Sequence, residues 1–225
     1  MEKLKTVSLF DFDGTMLKGD SIVEYISLAI KEGLCPKRNV PVMLLSALLA
    51  YGGIISAERA KSISLSFLKN VDKKSQEEFA KRFISENILP RLYPKAFERL
   101  LMHRANGDIV LIVSASPDCY MKYLPLYLPV DGVLASLTMD NGKVTCNFKG
   151  AEKLVRIKKW LKENNIAMDR ENSFAYGDSS HDILMMELAQ NPVCVNPKKA
   201  LSRAKPDWKT EYWSENGNNI INNGG

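Results

Sequence analysis

Apolar runs at residues 7–10, 109–113, 130–135, 173–176 and 192–195 are too short for ordinary helices and are mostly flanked by Gly, Pro, Asp or Ser, so the pattern predicts five buried strands. From the second to the fifth they alternate with helical spacing. That alternation predicts an α/β fold, a doubly wound and mainly parallel sheet whose ligands bind beyond the carboxyl ends of its strands. Asp140-Asn141-Gly142, set between two alternating segments of 136–148, predicts a β-hairpin beside it.

The interval between the first and second strands is far too long for one crossover helix. It holds four helical patterns: 21–32 ending at Gly33, 41–51 ending at Gly52, 56–70, and 75–89 ending at Pro90. In the last, Ser75 with Glu78 reads as a capping box, and Phe79, Phe83 and Ile84 share a face. A further helix at 94–106, ending at Gly107, returns the chain to the sheet. The expected organisation is an α/β core at 1–16 and 91–225, interrupted by an all-helical cap at 17–90. The apolar stretch 42–51 is expected to pack inside that cap, the alternative being contact with a lipophilic ligand or a membrane surface.

Composition narrows the classes without choosing among them. The 225 residues are 45% hydrophobic and 25% charged, as in an ordinary soluble domain, which excludes disordered and fibrous classes. The net charge of +5 suits small anions and nucleic acid equally. Cys35, Cys119, Cys146 and Cys194 are widely spaced and form no Cys-x-x-Cys pair, so free thiols are expected and a zinc site is not. The N-terminal apolar run stops at Phe10 before two aspartates, unlike a signal peptide, and no stretch approaches the ~20 residues that span a bilayer. A cytoplasmic protein without membrane contact is the expectation.

Four elements carry the chemistry. Asp11-Phe12-Asp13-Gly14-Thr15 follows the first strand directly, so two carboxylates two residues apart can face one cavity. A calcium loop would need Gly and Glu where Met16 and Ile22 stand. Ser114, at the carboxyl end of the second strand and just before Pro117, can bind a phosphate oxygen or serve a helix start, with Ser116 the better candidate for the cap itself. Lys153 opens a helix whose buried stripe is read as Leu154, Ile157, Trp160 and Leu161. Lying off that stripe and at an unfavourable helix end for a cation, it calls for an anionic partner. Asp178 and Asp182 follow the fourth strand, four residues apart. Four carboxylates at strand ends need a counter-charge, and oxygen-only ligands at a phosphate site indicate Mg²⁺.

This arrangement resembles the haloacid dehalogenase superfamily, with all four motifs in order over residues 7–197: Asp11 to Thr15, Ser114, Lys153, and Gly177-Asp178 through Asp182. The helical cap between the first two motifs is similar to that of the phosphoserine phosphatase-like branch. The resemblance implies a Rossmann-like core and a phosphatase working through an aspartyl-phosphate on Asp11, with Asp13 as general acid and base. It implies Mg²⁺ held by Asp11, Asp178 and the Asp13 carbonyl, with Asp182 behind them, and a phosphoryl group held by Ser114, Ala115 and Lys153. An acid at position 13 favours phosphomonoester hydrolysis over dehalogenation. A phosphotransferase using the same intermediate and phosphoserine phosphatase proper are the alternatives.

The expected partner is a small phosphorylated metabolite, with no nucleic acid, since the basic residues are dispersed. Asp20 stands where the related enzymes carry a glutamate for the substrate amine, and reads equally as an N-cap for the helix that follows. Their cap arginine aligns with Ser64, with Arg59 and Lys61 nearby, so phosphoserine is expected to be a poor substrate. His103 and His181 are expected to lie outside the site, His103 on the surface.

Overall fold

The computed structural model describes residues 3–215. Its main sheet contains β2 (Val7–Phe10), β3 (Ile109–Pro117), β4 (Gly132–Thr138), β5 (Val144–Cys146), β7 (Phe174–Gly177), β8 (Asn191–Val195) and β9 (Lys209–Glu211). The spatial order is β5-β4-β3-β2-β7-β8-β9, and β1 (Lys3–Lys5) pairs separately with β6 (Ile166–Met168). Every pairing is parallel except β4 with β5, which form the predicted hairpin. The expected α/β class and all five predicted strands are present; the sequence reading lacked β1, β6 and β9, each three residues long and short of apolar runs.

All four residues of β2 are buried, because helices cover both faces of the sheet. Val7 and Leu9 point into one apolar layer with Leu111, Ile157 and Leu161, while Phe10 points into the other with Ile112, Leu100 and Tyr176. β2 lies between β3 and β7, where the strand order reverses, so Asp11 emerges at the switch point of the sheet.

On the core, α5 (Pro94–Ala105), α6 (Asp118–Met121), α7 (Ala151–Glu163), α8 (Ile183–Met186) and α9 (Lys199–Ala204) connect the strands. Between β2 and β3 run α1 (Ser21–Lys31), α2 (Val40–Tyr51), α3 (Ala57–Leu65) and α4 (Lys73–Arg82). The two ends of this helical segment are pinned together: Leu17 and Leu92 are joined by an isolated antiparallel bridge, and Tyr93 N–H donates to the Met16 carbonyl at 2.9 Å. Aromatic rings seal the helical layer to the core: Tyr25 lies 4.9 Å from Phe79 and 4.7 Å from Tyr120 of α6.

Three local details differ from the sequence reading. α4 begins at Lys73 because Asp72 accepts from Ser75 N–H at 3.0 Å, displacing the expected Ser75 cap by three residues. A π-helical turn at Phe83–Ile88 follows it and keeps Phe83, Ile84 and Ile88 buried together. Most consequentially, α2 does not pack inside the helical layer: only Met43 and Ser46 are buried, while Leu44 and Leu48 are each 66% exposed.

Candidate active site

Asp11 is placed by the end of β2, where its N–H donates to the Tyr176 carbonyl at 2.9 Å. Its carboxylate accepts from Thr15 Oγ1 at 2.9 Å on one oxygen and from Lys153 Nζ at 2.5 Å on the other. Lys153 Nζ also donates to Asp182 at 2.6 Å. The anionic partner expected of this lysine is therefore a pair of buried carboxylates. Its position is a correction, however: Lys153, Ile157 and Leu161 form the buried face of α7, so the lysine lies on the stripe, with Leu154 and Trp160 only half-buried. A long apolar stem lets it share that face while its ammonium reaches the site.

Asp178 follows β7 and pairs with Lys198 Nζ at 2.8 Å. Asp182 accepts from Ser179 N–H at 3.1 Å and Ser179 Oγ at 2.7 Å, which fixes its rotamer. Oxygens of Asp11, Asp178 and Asp182 lie within 4.8 Å of one another, all three residues buried. Gly14, at φ +87°, passes so close that a Cβ there would overlap the Asp178 carboxylate. Burial pushes the Asp11 and Asp178 carboxyls above the usual carboxylate range, with Asp182 adding repulsion to both. Burial likewise opposes the charges of Lys153 and Asp182, but the attraction of Asp11 and then Asp182 raises the lysine, and the attraction of Lys153 lowers Asp182. Three crowded carboxylates facing one buried lysine leave negative charge uncompensated. The oxygen-only donor set fits a hard divalent cation such as Mg²⁺, whose charge would return Asp11 to its ionised form.

Asp13 accepts from Ser21 N–H at 2.7 Å on one oxygen and from the Ser116 hydroxyl on the other. Behind it, Ser21 Oγ lies 3.0 Å from Ser116 Oγ and 2.9 Å from Tyr120 OH, a buried hydroxyl chain. Burial, then the nearby Asp20, raise the Asp13 carboxyl above its ordinary range, as suits a proton donor. Ser116 is thus no helix cap: β3 continues through Pro117, α6 has only four residues, and the hydroxyl is turned to Asp13. Ser114 Oγ accepts from Ser116 N–H at 2.9 Å, which holds this strand end in place.

These residues line one cavity of about 260 Å³ that contains Asp11, Asp13, Ser114, Ala115, Lys153, Asp178 and Asp182 together. Asp20 caps α1 as one of its readings had it, its Oδ1 accepting from Ile22 N–H at 3.2 Å, and it also lines the cavity. Lys61 of α3 closes the cavity from the helical side, donating to the Ala115 carbonyl at 2.6 Å and to Asn147 Oδ1 at 2.7 Å. Burial drops its ammonium to about 8, against the pull of Asp20 and Asp13. Arg59, the other nearby cation, is exposed and outside the cavity.

Ser21, Tyr120, Asn147 and Lys198 escaped the sequence reading. Lys198 had a signal, since it follows β8 where ligands of such sheets gather; the hydroxyls and Asn147 had none. His181 lies at the cavity rim and is exposed, but His103 is fully buried, between Asp108 at 2.7 Å and Tyr176 OH at 2.9 Å, where a surface position was expected. A larger cavity, of about 660 Å³, opens at the amino ends of β7 and β8 and has no carboxylate cluster.

Residues 8–187 match the model of the haloacid dehalogenase-like hydrolases. The chain belongs to that family. This hydrolase is 23% identical over 209 residues to a histidinol-phosphatase of Neisseria meningitidis serogroup C, a match covering 89% of this chain and 94% of the relative. Its fold resembles that of a Bordetella pertussis Tohama I protein of unknown function, with TM-score 0.81 and 21% identity over 92% of this chain and 98% of the other. A phosphoserine phosphatase solved as a phospho-aspartyl intermediate analogue superposes with TM-score 0.60 at 23% identity, covering 92% of this chain and 94% of that one. No helix among the described residues is long and apolar enough to cross a membrane.

Proposed function

We propose that this hydrolase is a Mg²⁺-dependent phosphomonoesterase that works through a phosphorylated Asp11. The observation that carries the reading is the convergence of Asp11, Lys153, Asp178 and Asp182 at one buried point beside the serine-bound Asp13. An Asp11 oxygen attacks phosphorus while the bond to the leaving oxygen breaks, and Asp13 gives that oxygen its proton. Asp13, now a carboxylate, takes a proton from the water that attacks the aspartyl-phosphate, releasing phosphate and restoring Asp11. Lys153, Ser114 and the Ala115 N–H hold the phosphoryl oxygens, with Lys153 oriented by Asp182. Asp11, Asp178 and the Asp13 carbonyl would hold Mg²⁺, which supplies positive charge to the phosphoryl group when bound.

The cavity also bears on the substrate. Asp20 offers a carboxylate for an amine on the leaving alcohol; among the cavity's lysines other than Lys153, Lys61 already meets two acceptors, Lys198 pairs with Asp178 and Lys149 is exposed, and no arginine lines the cavity to hold a carboxylate in two-point fashion. The reading is a small amino-alcohol phosphate without a carboxylate, and the N. meningitidis relative's name makes histidinol phosphate the first probe. Asp11→Asn should lose all Mg²⁺-dependent phosphate release; activity retained in that variant overturns the mechanism. In a panel of phosphate esters, histidinol phosphate should exceed phosphoserine in kcat/KM by at least about tenfold, and the reverse order overturns the substrate reading while leaving the mechanism standing.

A further inference from the structure

Helix α2 carries apolar side chains on nearly every side, a composition that normally means burial all round. Here only Met43 and Ser46 are buried, on the side packed mainly against α3. Pro41, Leu44, Leu45 and Leu48 fall at i, i+3, i+4 and i+7 on its open face. Tyr51 at its end is 93% exposed, and Ile54 just beyond it is 72% exposed. Isolated exposed leucines need no explanation, but contiguous apolar patches on monomers seldom exceed a few hundred Å² without a binding role.

The charge around this face is one-sided. No acidic residue occurs from Gly33 through Ala57, while Lys37 and Arg38 stand exposed at the start of the helix. Beside α2 lies a second cavity, of about 250 Å³, whose polar lining includes Arg38, Asn39, Ser66, Lys69 and Asn70. Neither Arg38 nor Lys69 has an ion-pair partner among the described residues. The cavity is therefore a basic, amide-lined pocket at the edge of an apolar helix. A second copy of this face would bring no acidic residue from 33–57 to meet these cations.

We propose that α2 is a docking surface for an anionic lipid bilayer, with Leu44, Leu45, Leu48, Tyr51 and Ile54 entering the headgroup region and Arg38 and Lys69 meeting lipid phosphates. A helix lying in the interface gains both from apolar burial and from attraction to anionic headgroups, and a tyrosine at its end suits the boundary. α3 separates this face from the active cavity: Ala57 and Lys61 line that cavity, whereas Ile63 faces the pocket beside α2. Docking therefore leaves the catalytic residues untouched.

The test is flotation of the full chain with vesicles of phosphatidylglycerol and phosphatidylcholine, and with phosphatidylcholine alone. The chain should float with the anionic vesicles only, less at 0.5 M than at 0.05 M NaCl. Leu44→Glu with Leu48→Glu, and separately Arg38→Glu with Lys69→Glu, should each reduce the floated fraction at least about tenfold at unchanged phosphatase activity, which reports that the variants are folded. Equal flotation with neutral vesicles, none with either, or insensitivity to both variants overturns the proposal. A dimer in sedimentation velocity that the leucine variant dissociates, without flotation, assigns the face to a second copy and overturns it as well.

Discussion

Gly14 occupies a left-handed conformation against the Asp178 carboxylate, and both constraints act on any side chain placed there. Gly14→Ala should fold with a cost of about 1–2 kcal/mol from backbone strain and lose at least about 100-fold in kcat, because the new methyl displaces Asp178. Activity within threefold of the parent would falsify the close packing of the cluster. His103 supports a prediction of a different kind. Asp108 can only accept, so His103 Nδ1 carries the proton and Nε2 accepts from the Tyr176 hydroxyl, a neutral imidazole. Burial holds its pKa below the ordinary 6.5, with Asp108 opposing that shift. As pH falls below 6.5 the unfolded chain binds a proton that the folded chain refuses, so stability is lost toward acid, by up to ~1.4 kcal/mol per pH unit. His103→Gln should be less stable at pH 7.5 by roughly 1–3 kcal/mol, and its deficit should shrink from pH 7 to pH 5 in denaturant titrations. A constant deficit contradicts a neutral native histidine.

Among the secondary elements, α3 of the helical insert touches the site through Lys61, as α1 does through Ser21. Its Lys61 and the core residue Ser136 both donate to the Ala115 carbonyl, at 2.6 Å each. That carbonyl belongs to the peptide between Ala115 and Ser116, so holding it positions the residue that contacts Asp13 and, one residue back, Ser114, the hydroxyl proposed to bind phosphate. With a Lys61 pKa of about 8, its charge is present below that pH and lost above it. The parent's kcat/KM should therefore fall as pH rises through about 8, whereas Lys61→Met should be lower at pH 7 by about tenfold and flat across the same range; a parallel fall in both excludes Lys61 as the titrating group. The strands bearing Asp11, Ser114 and Asp178 were legible because buried parallel strands are continuous apolar runs with function at their ends. Asp13 and Asp182 were legible from the same placement, and Lys153 as a cation at a helix start that calls for an anionic partner. What the sequence concealed depended on the third dimension: His103 looks like a surface residue within Met102-His103-Arg104 until Asp108 and Tyr176 close on it. Likewise, nothing in an apolar 12-residue helix tells whether neighbours cover one side of it or all. Ser116 and Asn147 gain meaning only from partners distant in sequence.

For the molecule as a whole, the acidic cluster is a destabilising feature that a bound divalent cation would relieve. Added Mg²⁺ should raise the melting temperature, since a ligand at 100 times its Kd stabilises by about 2.7 kcal/mol, or roughly 5–10 °C for a chain of this size. Asp178→Asn should abolish the response in differential scanning fluorimetry, with an elevated starting melting temperature because one crowded carboxylate is gone. An equal Mg²⁺ response in that variant argues against this site. Asp11 of that cluster is mounted on β2, whose residues pair with Ile109 through Ile112 on one side and Phe174 through Tyr176 on the other, and with no nearer strand. Closing such distant contacts is entropically slow, while α7 needs only local ones. In pulse-labelled hydrogen exchange during refolding, the amides of 7–10 should gain protection after those of α7. Asp11 then joins Asp178 and Asp182 only when β2 slots between its neighbours, so the repulsion of the finished site arises late, once the surrounding strands are there to hold it.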